Sequence, residues 1–431
     1  MSATPGDPVL IIGGGISGLC LAQGLKKLHI PFKVFERDAE TAARAQGYRV
    51  RLHDGVDIIQ DMVPSSVSAL FNATTAVLEH GMQQYNAITG SIYPLKASRA
   101  PRGARRLLAK PGESGGSHAA ATLDRRVLRD VLLTGIGEDV VFGKMYSHFE
   151  IDEDRANVMA YFTDGSSERG RLLVGADGKW SAVRRQHVPD FVMLDTGHGG
   201  YFGKTPLTAE FREIFERNTD LQGIVLVRDM QTLATPIHVV MEKMAWSPTS
   251  RNNVSTVQLP QDYIYWVLLV ERASTPFSEE ELAGPLRWGD GAVQAILDLT
   301  KSWTPELRKV LTGQTPQETA FIPVHSASPK MLAWKPSRYV TLVGDAVHGM
   351  PPFAALGANT ALRGVHLLYQ AIEQHGMEGL TEDIIGRYEA ELRGLAVETI
   401  EQSFEAGQFT FKLKSPKEYR VLKARGDKAK L

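Results

Sequence analysis

Three glycines near the start of the chain have the spacing that binding of a dinucleotide's phosphates requires. Gly13, Gly15 and Gly18 form a G-x-G-x-x-G pattern. The first glycine permits a tight turn, the second lets a pyrophosphate approach the backbone, and the third lets the next helix pack on the strand. Glu36 follows Gly18 by 18 residues, where a carboxylate can accept hydrogen bonds from a ribose diol. The pattern predicts a dinucleotide site without indicating which dinucleotide binds.

Two further carboxylates end apolar runs elsewhere in the chain, Asp177 before Gly178 and Asp345 after Gly344. Ligands of doubly wound sheets bind at the carboxyl ends of strands. Three such ends therefore imply a ligand that is longer than one half of a dinucleotide. Asp345 can accept hydrogen bonds from polyol hydroxyls. The small residues at 357–359 leave backbone N–H groups free to face an anion-forming ring edge. A flavin has both features, in its ribityl chain and the O2/N1 edge of its ring.

Short apolar runs must position these residues. The run Val9–Ile12 predicts a strand buried on both faces, followed by a helix over about 16–28 and a second strand over 32–35. Buried strands are also predicted before Asp177 and Asp345, and a long helix over 358–375. We therefore predict an α/β fold: a Rossmann-like FAD-binding domain with an inserted mixed β-sheet substrate domain and C-terminal helices.

The region between these α/β segments has a different composition. Residues 190–320 mix strands with helical pieces, and Tyr263–Trp266 is rich in aromatics, as in a sheet covered on both faces. We expect residues 190–320 to form the substrate-binding domain. The FAD-binding domain is then expected in two parts, 1–189 and 321–400, with strands of the substrate sheet interleaved around 86–110. A C-terminal helix or basic tail is expected at 401–431.

Composition argues against several classes of protein. The 431 residues carry a formal net charge of -1, which gives no bulk attraction to nucleic acid or to an anionic membrane. No apolar run approaches the roughly 20 residues that cross a bilayer, and the N-terminus lacks the features of a signal peptide. The single cysteine, Cys20, favours a reducing compartment. We expect a cytoplasmic protein with no nucleic-acid partner, no integral membrane segment and no metal site.

Four motifs along the chain resemble those of the group A FAD-dependent monooxygenases, which are aromatic hydroxylases with the para-hydroxybenzoate hydroxylase fold. The resemblance covers nearly the whole chain. The motifs are the glycine turn with Glu36-Arg37, a helix motif at 123–128, a D-G motif at 174–184 and a G-D motif from 344 through 359. The four together in this order are far more specific than any one alone.

The resemblance implies which residues contact FAD. They are Gly13, Gly15, Ser17, Gly18, Glu36, Arg37, Arg44, Gly47, Arg125, Asp177, Asp345, Gly357, Ala358 and Asn359. Among them, Asp345 would meet the ribityl and pyrophosphate region, and backbone groups of 357–359 would meet the pyrimidine edge of the ring. Asp177 would also help bind NADPH or NADH, the co-substrate, without a separate nicotinamide domain.

The chain departs from the family's pattern at three positions. Ala355 stands where many members have a glycine in P-x-x-G-x-G, and Gly364 stands where an aspartate usually follows. Phe202 occupies what looks like the position of a catalytic arginine in some fungal relatives. An arginine that steers the substrate is therefore not expected there.

The strands of the substrate-binding domain, residues 190–320, should form the roof of a substrate pocket. They carry Tyr201, His238, Tyr263, Tyr265 and Trp266, although core packing is the usual role of an aromatic on a strand. Among them we predict Tyr201 as the catalytic residue, donating a hydrogen bond to a substrate oxygen.

The resemblance implies a single-component monooxygenase that uses NADPH or NADH and O2. Through a C4a-hydroperoxyflavin it would hydroxylate or epoxidise a small, largely apolar substrate of the aromatic or secondary-metabolite kind. A Baeyer–Villiger or rearranging oxygenase, or an oxidase, is an alternative with the same cofactor. Alternatives of other classes are a non-catalytic flavin-binding protein and a nicotinamide-only dehydrogenase, which has no use for a polyol partner at Asp345.

Overall fold

The computed structural model describes residues 6–39, 48–78, 81–93, 120–217, 223–282 and 287–422. Two predicted FAD contacts, Arg44 and Gly47, lie outside these ranges. The strands are β1 (Val9–Ile12), β2 (Phe32–Phe35), β3 (Arg49–Leu52), β4 (Met82–Asn86), β5 (Ile92–Tyr93), β6 (Ala121–Asp124), β7 (Val140–Val141), β8 (Tyr146–Asp152), β9 (Asn157–Phe162), β10 (Ser167–Gly170), β11 (Leu172–Gly175), β12 (Met193–Pro206), β13 (Ile224–Asp229), β14 (Ile237–Met244), β15 (Tyr263–Glu271), β16 (Arg287–Trp288), β17 (Ala320–Ala327), β18 (Val340–Leu342) and β19 (Arg420–Leu422).

The α-helices connect these strands and form the C-terminal part of the chain. None in the described ranges is long and apolar enough to cross a membrane. They are α1 (Ile16–Lys27), α2 (Asp54–Met62), α3 (Ser65–Ala73), α4 (Arg125–Leu133), α5 (Ala182–His187), α6 (Ala209–Arg217), α7 (Pro248–Asn253), α8 (Glu279–Leu282), α9 (Asp290–Leu299), α10 (Pro305–Thr312), α11 (Asp345–His348), α12 (Gly357–His375) and α13 (Glu382–Phe411).

A five-stranded parallel sheet contains the strands that end in the predicted cofactor motifs. Its order is β18-β11-β1-β2-β7. All four residues of β1 are buried, as the apolar run predicted. Ile12 pairs with Gly175, and Gly175 pairs with Leu342. Since these pairings are parallel, the turns that follow the three strands open at the same edge of the sheet.

A larger mixed sheet combines strands from separated parts of the chain. Its order is β16-β17-β12-β15-β14-β13-β4-β5, and β19 pairs with β12. All of its pairings are antiparallel except that of β13 with β4. The predicted mixed sheet is therefore present. It takes its interleaved strands from 82–93, and β17 continues it to Ala327, past the boundary expected at residue 320.

Successive residues of the mixed sheet alternate between two buried faces. One face, which we call the outer face, carries Tyr201 and Trp266 and shares a core with helices α9 and α10. The opposite face, which we call the inner face, carries Tyr265 and Val267 and shares a core with the parallel-sheet domain. Only the inner face can therefore line a site that lies between the two sheets.

A two-stranded ribbon of β3 and β6 contacts the inner face. The helix motif at 123–128 begins as strand: β6 ends at Asp124, and helix α4 starts at Arg125. Asp124 is the N-cap of this helix, and its Oδ1 accepts a hydrogen bond from the Arg126 N–H at 2.8 Å. An N-cap residue has extended backbone geometry, which explains why the helix starts later than predicted.

Glu389 on α13 is buried against the parallel sheet and should make stability depend on pH. Its carboxyl group accepts a hydrogen bond from Thr341 Oγ1 at 2.8 Å, and burial raises its pKa from 4.5 to about 7. Above pH 4.5 the unfolded state ionises this group while the folded state keeps it protonated. The free energy of unfolding therefore falls as the pH rises from about 4.5 to about 7.

Replacing Glu389 with glutamine should remove this pH dependence, because an amide keeps the acceptor oxygen without ionising. We expect Glu389→Gln to be about 1–3 kcal/mol more stable than the wild type at pH 8 and nearly equal to it at pH 4.5. Thermal unfolding at both pH values measures the difference. Glu391→Gln, at an exposed position of the same helix, is the control. An equal effect of Glu389→Gln at both pH values would contradict the prediction.

Candidate cofactor and substrate site

The first turn has the geometry that its three glycines predicted. Gly13 has a φ of +113°, and a Cβ there would lie 2.4 Å from the carbonyl oxygen of Ala176. A Cβ on Gly18 would lie 2.0 Å from the Gly13 carbonyl oxygen, so helix α1 packs as closely as glycine allows. A Cβ on Gly15 would meet no atom within 4 Å. The turn is thus closed at its first and third glycines and open at its second, where a pyrophosphate is expected.

Two helices of the candidate site begin without a side-chain cap. Helix α1 follows Gly15, and helix α12 follows Leu356; at neither N-cap does a side chain accept a hydrogen bond. The first N–H groups of such helices have no partner within the helix and attract negative charge. A Cβ on Gly357 would also meet no atom within 4 Å. Both helix starts are therefore open to an anionic or electron-rich group.

The G-D motif lies directly beside the first turn. Gly344 has a φ of +64°, and a Cβ there would lie 2.3 Å from Ser17 Oγ. Asp345 follows as the first residue of α11, and its side chain is 53% exposed. The structure thus brings together the predicted pyrophosphate turn and a carboxylate that can reach a ligand's hydroxyl groups.

Glu36 is held against the first turn by its own hydrogen bonds. Its Oε2 accepts the Gly14 N–H at 2.9 Å, and Arg129 Nη2 lies 3.5 Å from the same oxygen. Arg129 also donates from Nε to the Gly14 carbonyl oxygen at 2.8 Å. No sequence motif pointed to Arg129, since its contact depends on the packing of α4. Arg37, beside Glu36, is exposed.

Asp177 lies behind the first turn rather than in the open space. Its Oδ2 accepts the Ala182 N–H at 2.6 Å at the start of α5. Its Oδ1 is buried with no hydrogen-bond partner among the described residues. Burial raises the pKa of this carboxyl group. Asp177 therefore fixes the segment beside Gly13, and one of its oxygens is still able to accept a hydrogen bond.

Asn359 uses its side chain to join helix α12 to the β3 segment. Its Oδ1 accepts the His53 N–H at 2.8 Å, and its Nδ2 donates to the Arg51 carbonyl oxygen at 3.0 Å. The predicted contact with the flavin ring involved backbone groups at this position, and those groups lie at the open helix start. Arg125 is exposed at the start of α4, and its N–H donates to the Tyr48 carbonyl oxygen at 2.8 Å.

Strand registers arrange the inner-face residues in three rows across the mixed sheet. The upper row is Ile322, Gly200, Leu269, His238, Arg228 and Asn86. The middle row is Phe202, Val267, Val240, Leu226 and Gln84. The lower row is Lys204, Tyr265, Glu242, Ile224 and Met82. Adjacent rows lie about 7 Å apart, two residues along each strand.

The β3 segment joins the lower part of the inner face to the start of α12. Arg49 Nη2 lies 2.6 Å from Glu242 Oε2, and both side chains are buried. The rings of Tyr48 and Phe202 are 4.9 Å apart. Since Asn359 holds the other end of the same strand, β3 forms one wall between the inner face and α12.

The end of α13 forms the opposite wall. The Phe411 ring lies 4.7 Å from His238 in the upper row and 4.8 Å from Phe353, which precedes α12. Val240 in the middle row and Ala358 in the first turn of α12 are only partly buried. Contacts through β3 and Phe411 therefore connect the inner face to the segments around the open start of α12. We call the region between that helix start and the apolar middle row the cleft, with β3 and Phe411 as its walls.

Comparison with known proteins identifies this arrangement. An NAD(P)-binding Rossmann-like domain matches residues 11–86, and an FAD binding domain matches residues 291–403. The dual O-methyltransferase/FAD-dependent monooxygenase CTB3 of Cercospora beticola is 32% identical over 92% of this chain and 45% of its own length. The FAD-dependent monooxygenase thnD of Trichoderma harzianum is 27% identical, with 92% of each chain covered. The chain is thus similar to FAD-dependent monooxygenases over most of its length.

A solved structure of another protein shares the fold of this chain. The structure of Klebsiella pneumoniae HpxO, complexed with FAD and uric acid, has a TM-score of 0.66 and 18% identity, covering 95% of this chain and 93% of that one. The predicted resemblance to FAD-dependent monooxygenases, the α/β fold class and FAD as the cofactor are confirmed. The chain spans less than half the length of CTB3.

Tyr201, the predicted catalytic residue, lies on the outer face. It is fully buried, its ring is 4.7 Å from that of Phe321, and burial raises its pKa. Neighbouring residues of a strand point to opposite faces, so Phe202 and not Tyr201 faces the cleft. This placement argues against a hydrogen bond between Tyr201 and the substrate.

The structure shows the consequences of two of the predicted departures from the family's pattern. Ala355 has a φ of +52°, a left-handed conformation that costs a non-glycine residue about 1 kcal/mol. The glycine usual at this position would avoid that cost. A Cβ on Gly364 would lie 2.7 Å from Leu392 Cδ1. Helices α12 and α13 therefore pack more closely than the usual aspartate at 364 would permit.

Proposed function

We propose that this protein uses FAD, NADPH or NADH, and O2 to hydroxylate or epoxidise a small, largely apolar organic substrate. The observation that carries the proposal is the cleft between the open start of α12 and the apolar middle row. A ring bound at the helix start would face a substrate lying on Phe202 and Val240. The names of the relatives as FAD-dependent monooxygenases support the same reaction class.

The residues at the edge of the parallel sheet fit FAD. Gly15 leaves open space where a pyrophosphate would approach, and the uncapped start of α1 favours its charge. Bound FAD would contact Gly13, Gly15, Ser17, Gly18, Glu36, Arg37, Arg125, Asp345, Gly357, Ala358 and Asn359. Asp177 would act from behind the first turn, by fixing the segment beside Gly13. Arg44 and Gly47 stay predictions outside the described residues. When bound, the flavin supplies electron transfer from the nicotinamide and activation of O2.

The chain's own contribution is positioning, charge stabilisation and exclusion of water. The free N–H groups at the start of α12 would stabilise negative charge on a ring edge. The apolar middle row would seat the substrate, and the walls at β3 and Phe411 would restrict water. No side chain of the middle row can act as an acid or base, so the middle row orients the substrate rather than reacting with it.

Replacing Asp345 with alanine should weaken FAD binding by about tenfold or more. Its exposed carboxylate would accept a hydrogen bond from the ribityl chain, and a hydrogen bond to a charged group contributes about 1.5–3 kcal/mol. Titration of the apoprotein with FAD measures the dissociation constant. Asp383→Ala removes an exposed carboxylate at the start of α13 and is the control. Unchanged FAD affinity of Asp345→Ala would show that the ribityl chain lies elsewhere.

The reaction itself is tested with the FAD-loaded enzyme and isotopically labelled O2. A panel of phenolic, indolic and terpenoid compounds is incubated with NADPH or NADH, and products are analysed by mass. We expect one labelled oxygen atom in the product and faster nicotinamide oxidation when substrate is present. Release of hydrogen peroxide in proportion to product, without labelled oxygen in the product, would instead identify an oxidase.

A further inference from the structure

The upper row of the inner face carries two polar side chains, His238 and Arg228, at the end of the cleft that Phe411 closes. His238 is 2% exposed, and neither its Nδ1 nor its Nε2 has a hydrogen-bond partner among the described residues. A buried polar group without a partner costs free energy. Such a group on the wall of a proposed substrate cleft therefore requires an explanation.

Arg228 stands directly opposite His238 in the register of β13 and β14. It is partly buried, and its Nε also has no hydrogen-bond partner in the described part of the chain. Opposite residues of an antiparallel pair lie on the same face, with Cβ atoms about 4.5–5.5 Å apart. An imidazole and a guanidinium are thus neighbours on the inner face, each with unused hydrogen-bonding capacity.

Burial, with help from nearby positive charges, keeps the His238 imidazole neutral. Burial is the main cause that lowers its pKa to about 3; the positive charges of Arg228 and Lys412 act in the same direction, and Asp229 opposes them. Asp229 is itself held by Trp303 Nε1 at 2.7 Å, and Trp303 belongs to the outer core. A neutral imidazole can accept one hydrogen bond, whereas the Arg228 guanidinium can only donate.

We propose that His238 and Arg228 form a subsite for an acidic hydroxyl group, phenolic or enolic, of an aromatic substrate. This inference rests on the proposed function, because the aromatic ring would lie on the middle row facing the flavin. The hydroxyl donates to the His238 imidazole and accepts from the Arg228 guanidinium. The middle row lies about 7 Å from this pair, so a ring system of at least two fused rings reaches from the hydroxyl subsite onto Phe202 and Val240.

The subsite is tested by binding of 2-naphthol and of naphthalene, which lacks the hydroxyl, to the FAD-loaded enzyme. Binding is followed by the change in flavin absorbance. We expect the wild type to bind 2-naphthol at least tenfold more tightly than naphthalene. His238→Phe keeps a ring against Phe411 and should remove that preference without changing naphthalene affinity. Arg228→Met should do the same, and Tyr201→Phe, on the outer face, should leave the preference intact.

Three measurements separate this inference from the proposed function. FAD content and nicotinamide oxidation of each variant report on the cofactor site alone. If the wild type holds FAD but binds both probes equally, or His238→Phe keeps the preference for 2-naphthol, the subsite is wrong while the proposed function stands. If the wild type cannot hold FAD, the proposed function fails and the subsite with it. KM for a hydroxylated substrate should rise in His238→Phe, and kcat should change less.

Discussion

Replacing Gly15 with valine is expected to abolish tight FAD binding while leaving the stability of the apoprotein unchanged. A Cβ at this position meets no atom within 4 Å, and the backbone φ of -79° and ψ of -179° suit any residue. Valine would instead fill the space through which the pyrophosphate approaches. Loss of two hydrogen bonds to a charged phosphate corresponds to about 3 kcal/mol or more, which weakens binding on the order of 100-fold.

The matched control for Gly15→Val is Gly18→Ala. Its Cβ would lie 2.0 Å from the Gly13 carbonyl oxygen, so helix α1 must move away from the strand, at a cost of about 1–3 kcal/mol. Gly18→Ala should therefore lower the unfolding temperature of the apoprotein, and Gly15→Val should not. Thermal unfolding without FAD and FAD titration by fluorescence separate the two effects. If Gly15→Val bound FAD as tightly as the wild type, the pyrophosphate would not bind at this turn.

The parallel sheet and its turns were predictable because their signals are local. A run such as Val9–Ile12 specifies a strand buried on both faces whatever surrounds it. Gly13 and Gly18 are required by contacts within the same strand, turn and helix or with the adjacent strand. The same applies to Gly344, whose positive φ follows from its own turn. Residues of this kind could be predicted without knowledge of the packing of distant segments.

The inner face was not predictable from sequence, because strand residues alternate and both faces are buried. All of Tyr263–Val270 is buried, so no polar alternation distinguishes the face that lines the cleft from the face that covers α9 and α10. A shift of one residue exchanges the two faces. For this reason the sequence predicts Tyr201 as the residue that contacts the substrate, although it is Phe202 that faces the cleft. Only the contacts of β15 and β14 with β3 and Phe411 decide which residues line it.

Contacts between distant segments were also missed. Arg129 lies on a predicted helix, but its bonds to Gly14 and Glu36 depend on how α4 packs beside the first turn. The sequence predicts Asp124 as part of a helix motif. In the structure it ends β6, caps α4 and accepts from two side chains of the mixed sheet. A carboxylate with partners in both domains has no signature in the spacing of its own segment.

Replacing Asp124 with alanine is expected to destabilise the protein by about 3–5 kcal/mol. Asp124 is 1% exposed; its Oδ2 accepts from Lys204 Nζ at 2.9 Å and from Tyr263 OH at 2.8 Å. Alanine leaves the buried ammonium of Lys204 with Glu318, at 3.1 Å, as its only charged partner among the described residues. It also removes the cap of α4, which contributes about 1 kcal/mol. Denaturant unfolding of the apoprotein measures the loss.

The double variant Asp124→Ala/Lys204→Met separates these contributions. Removing the lysine charge as well should recover most of the loss, because a buried pair replaced by apolar groups costs far less than one partner left alone. Asp124→Asn keeps an acceptor for the Arg126 N–H and should fall between Asp124→Ala and the wild type. If Asp124→Ala and the double variant were equally destabilised, the cap alone would explain the effect. The ion pair between β6 and the mixed sheet would then contribute little to holding the inner face against the ribbon that forms one wall of the cleft.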